Sequence, residues 1–149
     1  MSPLAPAVRG QPRFYLQLEG GALLALATAL FAWGGASWWI FAAFFFAPDI
    51  AFFAYFAGPR IGAMAYNALH TSLAPAILIG LAVTSHYLPL ATVGAAIWAA
   101  HIGYDRLLGY GLKYPSNYKF THLGELWWPP DDDGWLPRRP TNKGLKGPR

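Results

Sequence analysis

The chain contains no cysteine. Disulfides, thiolate metal sites, iron–sulfur clusters and cysteine nucleophiles are therefore excluded, and no redox compartment can be read from thiol usage. Charge is the next shortage. Asp, Glu, Lys and Arg make up 12% of the 149 residues, about half of the roughly 25% that wets a soluble globular surface. Together with 55% hydrophobic and 17% aromatic residues, this does not fit a water-soluble monomer, and it excludes disorder over most of the length. Several short motifs are missing as well: no His-Glu-x-x-His, no Gly-x-Ser-x-Gly elbow, no phosphate-loop glycine run ahead of a helix. The net charge of +4 comes with no basic helix or aromatic-basic motif of the kinds that read nucleic acid, so no nucleic-acid partner is expected.

What the chain does have is four long apolar runs. They extend from Phe14 to Ala32, Ser37 to Gly58, Gly62 to about Thr84, and Leu88 to Leu108. About 20 apolar residues span a bilayer core of roughly 30 Å, so each run is long enough to cross. The first exceeds a signal-peptide apolar core and holds Glu19 with no clear cleavage site, which argues for its retention. Pro48 lacks a backbone donor and predicts a kink in the second helix; Pro75 interrupts the third run. The expected fold is all-α: a polytopic membrane protein with four transmembrane helices in an up-down-up-down bundle. Residues 1–126 form the transmembrane domain, with a short N-terminal tail and a C-terminal amphipathic segment that folds back. Residues 127–149 form a Pro/Trp/Asp-rich tail.

Orientation follows from the basic residues. Arg9 and Arg13 precede the first span, Arg60 lies between the second and third, and the other eight run from Arg106 onward. All of them fall on one side of a four-span bundle, which predicts cytoplasmic N- and C-termini. Trp33, Trp38, Trp39 and Tyr87 then fall at the outer interface, as does His86.

Ionisable groups inside membrane spans are costly and point to function. At about 1.5 Å per residue, Glu19, Asp49, His70 and His101 lie at similar depths, roughly 8–12 Å from the cytoplasmic end of their spans. Asn67 and His70 are three residues apart, and His101 and Asp105 four, so each pair shares a helix face. Asp49, His70, His101 and Asp105 offer the nitrogen and oxygen donors that zinc, iron or manganese take, and bundles build such sites from inward side chains. His101 with Asp105 also has the pattern of a general base and its orienting carboxylate. His70 or His101 could serve as an axial ligand to haem or a chlorophyll-type pigment. A fourth alternative is a buried hydrogen-bond network that fixes helix register. Glu19, Asn67, Arg60 and His122 complete the polar set; Arg60 either snorkels to lipid phosphate or turns inward.

The motifs Pro48-Asp49, Ala57-Gly58-Pro59-Arg60-Ile61-Gly62, Tyr66-Asn67 with His70-Thr71, Ala100-His101-Ile102-Gly103-Tyr104-Asp105-Arg106, Gly109-Tyr110-Gly111-Leu112-Lys113-Tyr114 and Thr121-His122-Leu123-Gly124 together resemble a family of small bacterial integral-membrane proteins, domain of unknown function 4260. The resemblance covers roughly Glu19 through Leu126. It implies a membrane-embedded chain and carries over no catalytic role. The residues that carry it include Asp49, Asn67, His70, His101, Asp105 and His122, which overlap the polar layer.

Three function classes follow. One is an accessory or structural subunit whose aromatic second helix packs in a membrane complex or homo-oligomer. Another is a small membrane enzyme using His101, Asp105 and His70 for acid-base or metal-assisted chemistry on a lipid-like substrate. The third is a small four-helix exporter, for which Glu19 in the first helix is the only supporting feature.

Overall fold

A computed structural model of the protein describes residues 7–85, 89–116 and 118–125. The expected tail at 127–149, and the interfacial positions His86 and Tyr87, lie outside the described residues. The chain forms α1 (Gln11–Trp33), α2 (Trp38–Phe44), a 3₁₀ helix (Ala47–Ala57), α3 (Pro59–His70), α4 (Leu73–Ser85) and α5 (Pro89–Leu107). A two-residue hairpin follows, β1 (Phe120–Thr121) antiparallel to β2 (Gly124–Glu125). The result is a helical bundle of the membrane type. Three stretches, Gln11–Trp33, Trp38–Ala57 and Pro59–Ala82, are long and apolar enough to cross a membrane. Helix α5, which carries His101, Asp105 and Arg106, is not among them; its polar groups are accommodated by neighbours instead of lipid.

Large apolar side chains are widely exposed on the outer surface. Trp33, Trp39 and Phe56 are more than 80% exposed, and contiguous apolar surface on this scale is stable only against hydrocarbon or another protein. Ser37 caps α2, its hydroxyl accepting from the Trp39 amide at 3.4 Å. The second span is bent, but the kink spreads over two residues ahead of Pro48. The proline ring would clash with the carbonyl four residues back, which belongs to Phe44. The α-helix therefore ends at Phe44, and Pro48 becomes part of the first turn of the 3₁₀ helix. That helix runs for eleven residues, far beyond the three or four usual for the type, and its tighter winding carries Asp49 inward.

The third span also breaks earlier than Pro75. Helix α3 stops at His70, Thr71 adopts an extended conformation, and α4 begins at Leu73. Pro75 falls in the first turn of α4, where amides have no intrahelical partner to lose. His70 is thus the last residue of its helix, and Trp98 on α5 holds the break in place by donating its indole N–H to the Leu69 carbonyl at 2.6 Å.

Helix α5 is the hub. Small residues (Ala95, Ala96, Ala99, Ala100) are nearly all fully buried along it, and they let neighbouring backbones approach closely. Its longest contact is with α1. There Gly20 and Gly103 meet: a Cβ on Gly103 would lie 2.5 Å from the Leu24 amide nitrogen and 2.7 Å from the Gly20 carbonyl oxygen. Near the other end of α1, Phe31 is wholly buried against Val93, Ala96 and Ile97 and packs edge-on to Phe41 of α2, centroids 5.0 Å apart. The 3₁₀ helix packs on α3, where Gly62 leaves room for the Tyr55 ring. Because the atoms facing Gly103 are backbone and cannot swing away, Gly103→Ala should destabilise the bundle by about 1–3 kcal/mol. Gly80→Ala, where a Cβ meets nothing within 4 Å, should be neutral or slightly stabilising. Thermal unfolding of the two variants in detergent reads the difference.

Candidate metal centre

The two helix breaks and the buried face of α5 bring four side chains to one point. Asp49 comes from the first turn of the 3₁₀ helix, His70 from the end of α3, and His101 and Asp105 from successive turns of α5. Each offers one donor atom, and all four donors lie within 4.8 Å of one another. His70 Nε2 is 3.2 Å from His101 Nε2, 3.4 Å from Asp49 Oδ1 and 3.6 Å from Asp105 Oδ2. His101 Nε2 is 3.6 Å from Asp49 Oδ1 and 3.9 Å from Asp105 Oδ2. A tetrahedral ion with bonds of about 2.0–2.1 Å separates its ligands by about 3.3 Å; the five pairs that include a histidine lie at 3.2–3.9 Å and the whole group within 4.8 Å, so the two carboxylates would draw together on an ion.

The surroundings aim these donors. His70 Nδ1 is 2.9 Å from the Tyr66 carbonyl oxygen. A carbonyl only accepts, so Nδ1 carries the proton and the Nε2 lone pair faces the centre, the tautomer a metal requires. The Tyr66 ring stacks on the His70 imidazole at 3.6 Å, and its hydroxyl donates to Asp105 Oδ2 at 2.9 Å. His101 is wholly buried, with Phe45 and Phe46 edge-on to its ring. Its Nδ1 has no hydrogen-bond partner. Asp49 is the accessible member of the group: its side chain is 35% exposed, against 12% for Asp105, 3% for His70 and none for His101.

Two carboxylates and at least one imidazole lone pair thus share a site largely shielded from water. Such an arrangement needs positive charge at its middle, from protons or from a cation. Because each imidazole Nε2 faces the other ring and both carboxylates, neither has room for a tetrapyrrole. The donor set suits one small ion of the zinc, iron or manganese type.

The remaining polar residues are placed elsewhere. Glu19 is exposed on α1 and takes no part in the four-donor group, so the shared layer draws on three of the four expected spans. Arg60 is exposed at the start of α3. Asn67 pairs with the backbone of Lys113 in both directions, its Nδ2 donating to the carbonyl at 2.9 Å and its Oδ1 accepting from the amide at 2.7 Å. This clasp ties the segment after α5 over the polar end of the bundle. Lys113 is legible in the sequence only as one more cytoplasmic charge, yet it is 4% exposed. Its ammonium lies over the rings of Tyr66 at 4.4 Å and Phe52 at 4.8 Å and donates to the Tyr118 carbonyl. Burial pushes it down to about 8, against the pull of Asp105 and Asp49.

His122 also belongs to this covering segment. Its Nδ1 accepts from the Leu112 amide at 2.8 Å, while the Leu112 and His122 carbonyls accept from the His122 and Val8 amides. Burial, and then the charge of Arg106, hold its pKa below the ordinary 6.5. A base whose folded pKa is depressed contributes stability that is complete above its unfolded value and is lost as pH falls below it. Protection of the Leu112 amide from hydrogen exchange should therefore drop between about pH 7.5 and about pH 5.5. His122→Asn, whose side-chain oxygen replaces Nδ1 as acceptor, should remove that step.

Comparison with known proteins gives a family and no activity. No curated protein and no solved structure matches the chain. A family model, described as domain of unknown function (DUF4260), matches residues 13–126, which contain all four donors and the covering segment. The chain therefore belongs to the DUF4260 family.

Proposed function

We propose that the protein is an integral-membrane metalloprotein that holds one divalent transition-metal ion between Asp49, His70, His101 and Asp105. The observation that carries this is the convergence of four donor atoms at ligand-cage spacing, with the His70 tautomer set by the Tyr66 carbonyl. The ion would join the 3₁₀ helix, α3 and α5, and so stabilise the two breaks that deliver its ligands. Partly exposed Asp49 gives it one open side. A sealed structural site needs no such opening, so the enzyme class is favoured over the purely accessory one: an ion held there would supply Lewis-acid chemistry to a substrate oxygen reaching it past Asp49. His101 and Asp105, both enclosed, then serve as fixed ligands and not as a free acid-base pair. We place both termini on the cytoplasmic side, on the one-sided distribution of Lys and Arg, and the membrane as a bacterial cytoplasmic one, on the resemblance to the family alone.

Elemental analysis of protein purified without added metal should find about one ion per chain. His70→Ala and His101→Ala should each lower metal content at least about tenfold while the protein still elutes as a folded species. Stripping the ion with a chelator should lower the melting temperature, since a ligand that binds only the native state stabilises it. A metal-free wild type whose melting temperature ignores added zinc, iron and manganese would leave only the hydrogen-bond network. Orientation is checked separately by a single cysteine at Ser85, which should react with an impermeant reagent from outside only.

A further inference from the structure

The face of α5 that ends in the metal centre begins in an apolar cavity. Gly94, Ile97, His101 and Asp105 follow one another at spacings of three and four residues and so share one helix face. Gly94 and Ile97 line a cavity of about 400 Å³; His101 and Asp105 belong to the centre. At 1.5 Å per residue, Ile97 lies about 6 Å and Gly94 about 10 Å from His101 along the axis. The opposite walls repeat the relation, since Pro48 and Leu69 line the cavity and each immediately precedes a donor, Asp49 and His70.

Nothing in the cavity asks for a polar occupant. Its walls are aliphatic or aromatic, Ile40 and Phe44 of α2 among them. The Trp98 N–H, the one side-chain polar atom of the lining, is already bonded to the Leu69 carbonyl. An apolar groove open on one side is covered by hydrocarbon or by protein. A single hydrocarbon chain lying along α5 fits, and the bilayer around the three apolar spans supplies it.

We propose that this cavity binds one acyl chain of a bilayer lipid, with the chain end near Leu90 and Gly94 and the polar end of the lipid beside Asp49. The placement of the chain stands without the ion; that the polar end meets a metal rests on the function proposed above. Bound this way, the lipid would bring its oxygen atoms to the one exposed ligand of the centre, making a membrane lipid the class of substrate.

The test uses the full-length protein in phosphatidylcholine bilayers doped with phosphatidylcholine that carries a photoreactive diazirine, either beside the acyl ester or at the chain terminus. Adducts mapped by mass spectrometry should fall on residues 47–49 and 69–70 with the first probe and on residues 90–94 with the second. A Cβ at Gly94 meets nothing within 4 Å, so Gly94→Phe should fill the cavity and reduce adducts at both places by at least about fivefold, a loss of about 1 kcal/mol in binding, with bound metal unchanged. Gly94→Leu is read in its place if the larger ring impairs folding. In His101→Gln the adducts should persist although the metal is gone; adducts in a wild type that holds no metal would likewise keep the chain site and remove only the ion. Labelling that spreads over Phe53 and Phe56 and ignores Gly94→Phe would show annular lipid only and overturn the proposal. So would the reverse order of the two probes, or Gly94→Cys pairing readily with a second copy of the chain.

Discussion

Two carboxylates and two imidazoles are held at one point largely shielded from water, and the rest of the architecture can be understood as what that costs and what it requires. With four donors within 4.8 Å of one another in a medium of low polarity, like charges and facing lone pairs repel strongly unless positive charge lies among them. Each donor must also be kept from drifting to a less crowded position. The backbone does this by ending two helices early. Phe44 and His70 are both final helical residues, and beside the second break the Trp98 indole satisfies the Leu69 carbonyl, as irregular backbone at membrane depth requires.

The same requirement explains why the most polar helix is the most enclosed. Helix α5 would be a poor lipid-facing span, but with alanines and Gly103 against α1 it is surrounded closely enough that His101 and Asp105 meet protein on nearly all sides. The covering segment then closes the polar end. Asn67 grips the Lys113 backbone, the Lys113 ammonium sits on the Tyr66 ring, and the Tyr66 hydroxyl holds Asp105. A contact made after the last helix is in this way transmitted to a ligand on that helix. Asp49 alone is left partly open, on the helix whose 3₁₀ winding is itself a departure from regular structure.

Much of this is legible in the sequence because membrane chains obey strong rules. Apolar runs mark the spans to within about three residues at most ends, and the rarity of charge inside them singles out Asp49, His70, His101 and Asp105 without any geometry. Depth counting places residues along the spans but carries no azimuth, so it groups Glu19 with Asp49, His70 and His101 although Glu19 faces outward. The proline rules locate the interruptions only approximately. A proline is absorbed in a first turn, so the break falls a few residues ahead of it, at Phe45 for Pro48 and at Thr71 for Pro75. Tyr66 and Lys113 cannot be distinguished in the sequence from an ordinary aromatic and an ordinary cytoplasmic charge, because their roles depend on a fold-back of about 46 residues that leaves no periodic signal.

X-ray absorption of the purified protein tests the central claim most directly. The account predicts a bound first-row transition metal with a first shell of nitrogen and oxygen at about 2.0–2.1 Å and the outer-shell scattering of two imidazole rings, reduced to one ring in His101→Gln. A shell of water oxygens alone, or an imidazole signal unchanged by both His70→Ala and His101→Gln, would contradict it.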